Sequence, residues 1–369
     1  MTREIWNWQQ KNWPDFSYTK DILKAEEAAF LTQSGLSFGI ARHIDDAEKQ
    51  NITISMISNE AYKTSEIEGE ILNRDSLQSS IKQHFGYKAH PSHNDPRESG
   101  IAEMIIDLHR HYDALLSHDI LHTWHEMLMN GRRDLNAIGR YRSHEEPMQV
   151  VSGYVQNRKI HFEAPPSSSM MKEMSSFIAW FNNTSPTGTT PLPPIIRASI
   201  AHLRFLSIHP FEDGNGRIGR ALVEKVLAQH LKQPTLIGLS QIIQDNKKRY
   251  YDALEIQNKH NEINGWLEYF AEVILQAQKY TISEMDFLIQ KAKFFIRHKD
   301  QMNARQNKVV ARMFAEGTKG FEGGLSAQNY ITISQTSPST ATRDLKDLVG
   351  KNALTQTGER KATRYWLRL

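Results

Sequence analysis

At 369 residues the chain is long enough for two or three domains, and its 39% hydrophobic and 24% charged residues describe a globular protein rather than a disordered or membrane one. It has no cysteine, which excludes a disulfide framework, a thiolate zinc site and a cysteine nucleophile. The net charge of +3 is uneven: residues 301–369 hold eleven Lys and Arg against five Asp and Glu, so only the tail is basic.

The chain opens on MTREIWNWQQKNWPDF, aromatic residues spaced by polar ones with no apolar h-region, so it does not read as a secretion signal. Trp6, Trp8 and Trp13 are expected to pack as an N-terminal arm on a helical core. Residues 19–60 carry apolar positions at helical spacing (Ile22, Leu23, Ala29, Phe30, then Ile52, Ile54, Met56, Ile57), with a break expected near Ser34-Gly35. KTSEIEGEIL, residues 63–72, reads as a helix end closed at Gly69 and followed by another helix. KAHPSHNDPRES, residues 88–99, is polar with two prolines and reads as a linker.

From Gly100 to Met129 and from Pro194 to Leu231, apolar residues recur at i, i+3, i+4 and i+7, the pattern of core helices. His118, His122 and His125 share one of these segments with Glu126, but the order is not HExxH and ordinary surface or packing histidines explain them. Between the helical stretches, Val150, Val151, Val155, Ile160 and Phe162 flank a polar turn at Gln156-Asn157-Arg158, which predicts a β-hairpin stopped by Pro165-Pro166. Met170, Met171 and Met174 then read as helix core. Residues 240–296 are helical again by pattern. The tail follows as a helix from Lys308 to Ala315, a glycine-rich loop, two helical segments split near Ser334–Pro338, and two strands joined at Gly358-Glu359-Arg360-Lys361. That order resembles a winged helix, with Arg343 and Lys346 on its recognition helix and Arg360, Lys361, Arg364 and Arg368 on its wing. No segment reaches the ~18 apolar residues of a membrane span, so no membrane partner is expected and the cytoplasm is the expected compartment.

HPFEDGNGRIGR, residues 209–220, concentrates the chemistry. It is a loop running into the N-terminus of a helix, where free N–H groups and the helix dipole favour an anion. Gly214 and Gly216 let a phosphate approach the backbone, and Asn215 adds a donor that tolerates turn conformations. Arg217 and Arg220, at i and i+3, can reach one polyphosphate, and Asp213 is a hard oxygen ligand of the kind that holds Mg²⁺ between phosphates. His209 at the loop entrance can take a proton from an incoming hydroxyl. Glu212 is expected to be solvated and is given no role.

HPFEDGNGRIGR resembles the Fic signature HPFxxGNGRxxR at every fixed position, and the resemblance extends over about residues 100–280. It implies transfer of AMP from ATP to a protein hydroxyl, with His209 as base, Asp213 as Mg²⁺ ligand, Asn215 and the glycine backbone (Gly214, Gly216) as α-phosphate cradle, and Arg217 and Arg220 on the β- and γ-phosphates. The hairpin at about 148–162 would align the target by strand addition. KRYYDALEIQN, residues 248–258, is similar to the family's adenosine-side helix, which implies Tyr251 and Asn258 as adenine or ribose contacts. Thr64-Ser65-Glu66-Ile67-Glu68-Gly69 resembles the family's inhibitory motif [S/T]xxxE[G/N]. Glu68 would then pair with Arg220 and keep the γ-phosphate off it, and the same glutamate would be able to assist removal of AMP from a modified target.

The fold class expected is mostly α, a Fic-type helical core with a short β-hairpin flap plus a small C-terminal winged-helix (α+β) domain. The domains expected are a helical region with the inhibitory helix over 1–99, the catalytic core over 100–296 and the winged helix over 297–369. The expected partners are a protein substrate with a target hydroxyl, including the chain itself, a second copy as a homodimer, and DNA through the tail. Two rival readings are a DNA-binding regulator whose core senses nucleotide and an enzyme of the same family that moves another phosphate-linked group.

Overall fold

The computed structural model describes residues 5–42, 46–87, 95–153 and 158–369. The chain divides into two compact units, Met1–Phe38 with Thr53–Lys279, and Gly39–Ile52 with Tyr280–Leu369. Among the described residues there are fourteen α-helices and two two-stranded antiparallel sheets.

The first unit begins with an arm whose tryptophans are fixed by their polar edges as well as their rings. Trp6 is buried edge-on against Phe162, Trp8 Nε1 donates to the Glu163 carbonyl at 2.6 Å, and Trp13 Nε1 donates to Glu173 at 3.0 Å. Helix α1 (Lys24–Arg42) runs straight through Ser34-Gly35, where a break was expected. A helical glycine costs only about 1 kcal/mol relative to alanine, and Ser34 turns its hydroxyl back onto the Phe30 carbonyl at 2.8 Å, so neither residue ends the helix. The next helix, α2 (Asp46–Ile67), ends where expected, with Gly69 at φ +84°, and α3 (Arg74–His84) starts behind Asn73, whose side chain accepts from Asp75 and Ser76 N–H. The first seven residues of the predicted linker, 88–94, lie outside the described residues. Helix α4 (Pro96–Arg110) then starts inside that stretch, with Asp95 as N-cap and proline in its first turn.

Helix α5 (His118–Leu128) precedes the hairpin of β1 (Gln149–Ser152) and β2 (Lys159–Glu163). Gln156 and Asn157 of its predicted turn lie outside the described residues. Helix α6 (Met170–Asn183) buries Met170 and Met174, but Met171 is 59% exposed, on the opposite face of a helix with one apolar stripe. Helix α7 (Pro194–Ile208) is buried almost all round and packs along α8 (Asn215–Leu231). The short α9 (Leu239–Asp245), α10 (Lys247–Gln257) and the long α11 (Asn264–Arg297) complete the helices that enclose this core. Inside it, His202 Nε2 meets the Tyr250 hydroxyl at 2.8 Å, and its ring stacks 5.0 Å from Phe270.

In the second unit, α12 (Ala304–Phe314), α13 (Ala327–Ser334) and α14 (Pro338–Gly350) precede the hairpin of β3 (Leu354–Thr357) and β4 (Arg364–Leu367). Its core is Val309, Val310, Tyr330, Leu345, Leu348 and neighbours. Among the described residues no helix is long and apolar enough to cross a membrane.

Candidate active site

The loop between α7 and α8 is shaped before any ligand is considered. His209 ends α7 in the left-handed region at φ +51°, ψ +59°, a conformation a non-glycine residue holds only where its surroundings impose it. Arg142 imposes much of it: its backbone N–H donates to the Pro210 carbonyl, and its guanidinium donates to the carbonyls of His209 at 2.8 Å and Pro165. Phe211 is fully buried and stacks face to face on His125 with centroids 4.1 Å apart. His125 is accordingly a packing ring; its Nδ1 accepts the Gly139 N–H, and burial pulls its pKa down to about 4. Neighbouring His118 and His122 lie against Tyr141.

Asn215 staples the loop to the helix. Its Oδ1 accepts the Phe211 N–H at 3.0 Å and its Nδ2 donates to the Phe211 carbonyl at 2.8 Å, so this side chain is used by the loop itself. Glu212 is also not merely solvated, since it accepts the Asn136 N–H at 2.8 Å, because residues 134–139 pass beside the loop. Gly214 sits at φ +81° at the start of α8, where no side-chain cap is present, and the first-turn N–H groups are left for an anion.

An anion is there, supplied by the chain. Glu68, just past the end of α2, puts Oε1 2.7 Å from an Arg220 guanidinium nitrogen, and a Cβ added at Gly216 would lie 2.1 Å from that same oxygen. Only glycine admits the carboxylate so close to the turn. Arg220, 2% exposed, also donates to the Thr64 hydroxyl at 2.7 Å and the Thr64 carbonyl at 2.9 Å. Arg217, equally buried, donates to Glu70 at 2.6 Å. Asp213 accepts from the Gly214 N–H at 2.6 Å and from Arg132 at 2.7 Å, with Arg217 at 3.6 Å; Arg217 and Arg132 hold its carboxyl below the usual range against burial.

His209 is neutral by environment. Burial, with Arg142 beside it, takes its pKa down to about 4. Its Nδ1 lies 3.3 Å from the Leu206 carbonyl, which can only accept, so the proton sits on Nδ1 and Nε2 keeps a free lone pair.

A cavity of about 600 Å³ opens over this loop. His209, Asp213, Gly214, Asn215, Gly216 and Glu68 line it, as do Tyr251 and Asn258 of the α10 region and Ser152 and His161 of the hairpin. Arg217 and Arg220 do not line this cavity; Arg220 reaches its edge through its partner Glu68, and Arg217 pairs with Glu70. The residues singled out from sequence therefore converge, whereas Glu70, Arg132 and Arg142 were not anticipated. Glu70, two places beyond Glu68, and Arg132 carry no local signal of a role, because their partners are 147 and 81 residues away.

Residues 115–227 match the model of the Fic/DOC family. The chain carries a Fic domain. A separate model, a domain of unknown function (DUF4172), matches residues 6–87, which include Glu68 and Glu70. The chain is 27% identical over 165 residues to protein adenylyltransferase fic-1 of Caenorhabditis elegans, covering 45% of this chain and 28% of that protein. It is 29% identical over 147 residues to protein adenylyltransferase Fic of Nematostella vectensis, covering 40% and 30%. The Fic match thus spans less than a third of those relatives' length. Among solved structures, a Fic family protein from Desulfovibrio desulfuricans superposes with TM-score 0.53 at 21% identity, over 96% of this chain and 98% of that one. A Fic domain containing signaling protein from Bacteroides thetaiotaomicron gives 0.51 at 18%, over 72% and 98%. These likenesses establish the Fic fold, a mostly helical core with a small two-stranded hairpin.

Proposed function

We propose that this chain transfers AMP from Mg-ATP to a serine, threonine or tyrosine hydroxyl of a protein, and that Glu68 holds it off at rest. The observation that carries this reading is the seat of the Glu68 carboxylate, against Gly216 at an uncapped helix N-terminus and gripped by Arg220. A protein anion in that place marks where a nucleotide's phosphate belongs. The names of the adenylyltransferase relatives support the same reaction class.

With Glu68 withdrawn, Arg220 and Arg217 are free to hold the β- and γ-phosphates, and the backbone N–H groups of the first turn of α8, after Gly214, cradle the α-phosphate. Asn215 acts by holding the turn that aims those groups. Tyr251 and Asn258 lie on the adenosine side. His209 Nε2 takes the proton of the target hydroxyl as its oxygen bonds to the α-phosphorus, and pyrophosphate leaves. Asp213 fits Mg²⁺: it is ionised, partly exposed beside the cradle, and each oxygen keeps a second lone pair beyond the one it gives Gly214 or Arg132. Held there, the cation would neutralise charge on the leaving group. The target's backbone pairs with the flap hairpin, bringing its hydroxyl over His209.

The test is incubation of Glu68→Gly protein with Mg-ATP, read by intact mass. It should gain AMP, and adding His209→Ala should cut the initial rate by about 10²–10⁴-fold, the usual worth of a general base. A gain of phosphate alone would overturn the assignment. A second reading, in which the tail is a winged helix on DNA, has one observation in its favour: Arg343, Lys346, Arg360 and Lys361 are all exposed. Salt-dependent DNA binding unchanged by His209→Ala would favour it.

A further inference from the structure

The cavity wall holds a second hydroxyl–imidazole–carboxylate set that the proposed reaction leaves unused. Ser152 is the last residue of β1, and its Oγ lies 2.6 Å from Nε2 of His161 on β2. On the other side of the ring, Nδ1 lies 2.6 Å from Glu255 on α10. Glu255 also accepts from Lys159 at 2.7 Å, and Lys159 and His161 together hold its carboxyl below the usual range, so it is an acceptor at neutral pH. The carboxylate places the ring proton on Nδ1, and in the neutral ring Nε2 is left to accept from the serine hydroxyl. That is the order of an activated nucleophile: hydroxyl, base, and a third group that orients the base.

The strand register supports a built arrangement. Val150 pairs with Phe162 and Val151 with Ile160, so His161 has no partner on β1. A bulge of this kind re-aims one side chain, and here it is the imidazole between the serine and the acid. Ser152, His161 and Glu255 line the same cavity as His209 and the Gly214–Gly216 turn. Among the described lining residues Ser152 is the one serine or threonine. The phenols nearby are poor competitors: Tyr250 is buried on His202, and burial lifts Tyr251 to about 12.

We propose that Ser152 is an acceptor of AMP in its own right, a self-modification site on the flap with His161 as its base; this rests on the adenylyl-transfer reading above. Ser152 Oγ bonds to the α-phosphorus of the nucleoside triphosphate, its proton passes to His161 Nε2, and the bond to the β-phosphate bridging oxygen breaks with its electron pair leaving on pyrophosphate. The product is a serine phosphodiester at the rim of the cavity. It is slower than transfer through His209, because the cradle is built around that residue, but it does not need His209.

The experiment compares Glu68→Gly, Glu68→Gly/His209→Ala, and the latter with Ser152→Ala or Glu255→Gln added, each full-length and incubated at length with Mg-ATP. Intact mass and peptide sequencing are read. The His209-less protein should accumulate a single AMP, mapped to Ser152. Ser152→Ala should abolish it, and Glu255→Gln should slow it by about tenfold or more by releasing the tautomer. Ser152 is exposed, so its alanine variant tests chemistry rather than folding. Label on Glu68→Gly with Ser152 unmodified in both backgrounds would sink the acceptor assignment and leave adenylyl transfer standing. No AMP on Glu68→Gly anywhere would sink the underlying reading and this site with it.

Discussion

Replacing Glu68 should accelerate AMP incorporation by a factor set by one hydrogen bond. In the resting structure Arg220 makes three contacts, two to Thr64 and one to Glu68. A γ-phosphate on Arg220 has to displace only the last, since Thr64 uses other directions of the guanidinium fork. A hydrogen bond between charged groups is worth about 1.5–3 kcal/mol net, or roughly 10- to 150-fold in the population of the competent state. The Glu68 side chain is 26% exposed, which weakens its hold and places the expectation in the lower part of that range, about 10- to 40-fold. Initial rates of AMP incorporation at subsaturating Mg-ATP, for wild type, Glu68→Gln and Glu68→Gly, measure it directly. The glutamine keeps an acceptor oxygen without the charge and should fall between the other two. Equal rates for wild type and Glu68→Gly would refute the claim that this carboxylate blocks the phosphate site.

Three further outcomes follow from the same geometry. Glu70→Gln frees Arg217 from its 2.6 Å partner and should add a smaller gain, about 3- to 10-fold in the Glu68→Gly background, seen as a lower KM for ATP with little change in kcat. In Glu68→Gly protein, kcat/KM for AMP transfer should stay flat from pH 7 down to about 5, because His209 protonates near 4; an acid limb centred at 6.5 would show that its environment does not depress it. Burial raises Glu60 and Glu224 each to about 7, well above an unfolded carboxyl, so their contribution to stability is present below about pH 4.5 and lost as pH rises through 7. Denaturation midpoints should therefore decline between pH 5 and 8, less steeply in Glu60→Gln.

The parts of this fold legible in the sequence are those whose signal is local. The Fic loop, the end of α2 at Gly69, the hairpin and the order of elements in the tail all follow from spacing and turn residues. The misses have physical reasons. Ser34-Gly35 looked like a break because propensity treats residues singly, whereas the helix around them is held by packing of Phe30 and its neighbours. Met171 was assigned to the core with its neighbours, although helical spacing turns it away from Met170 and Met174. Glu70, Arg132 and Arg142 could not be found from spacing, because each matters through a partner on another element.

What unites the anticipated and the unanticipated residues is the cost of burying cations. Arg217 and Arg220 are each 2% exposed, and a buried guanidinium without a counter-charge is destabilising by several kcal/mol. On the adenylyl-transfer reading proposed above the site receives a polyphosphate, and in its absence Glu68 and Glu70 supply the counter-charge that the buried arginines need. On that reading, inhibition and stability are the same contact. Glu68→Gly should be both faster and less stable than wild type, and Mg-ATP should raise its melting temperature more than that of wild type, since the nucleotide restores the charge that the substitution removed. A variant that gained activity with no loss of stability would mean that Arg220 is compensated elsewhere, and that the carboxylate's place at Gly216 is not a counter-charge for the empty phosphate seat.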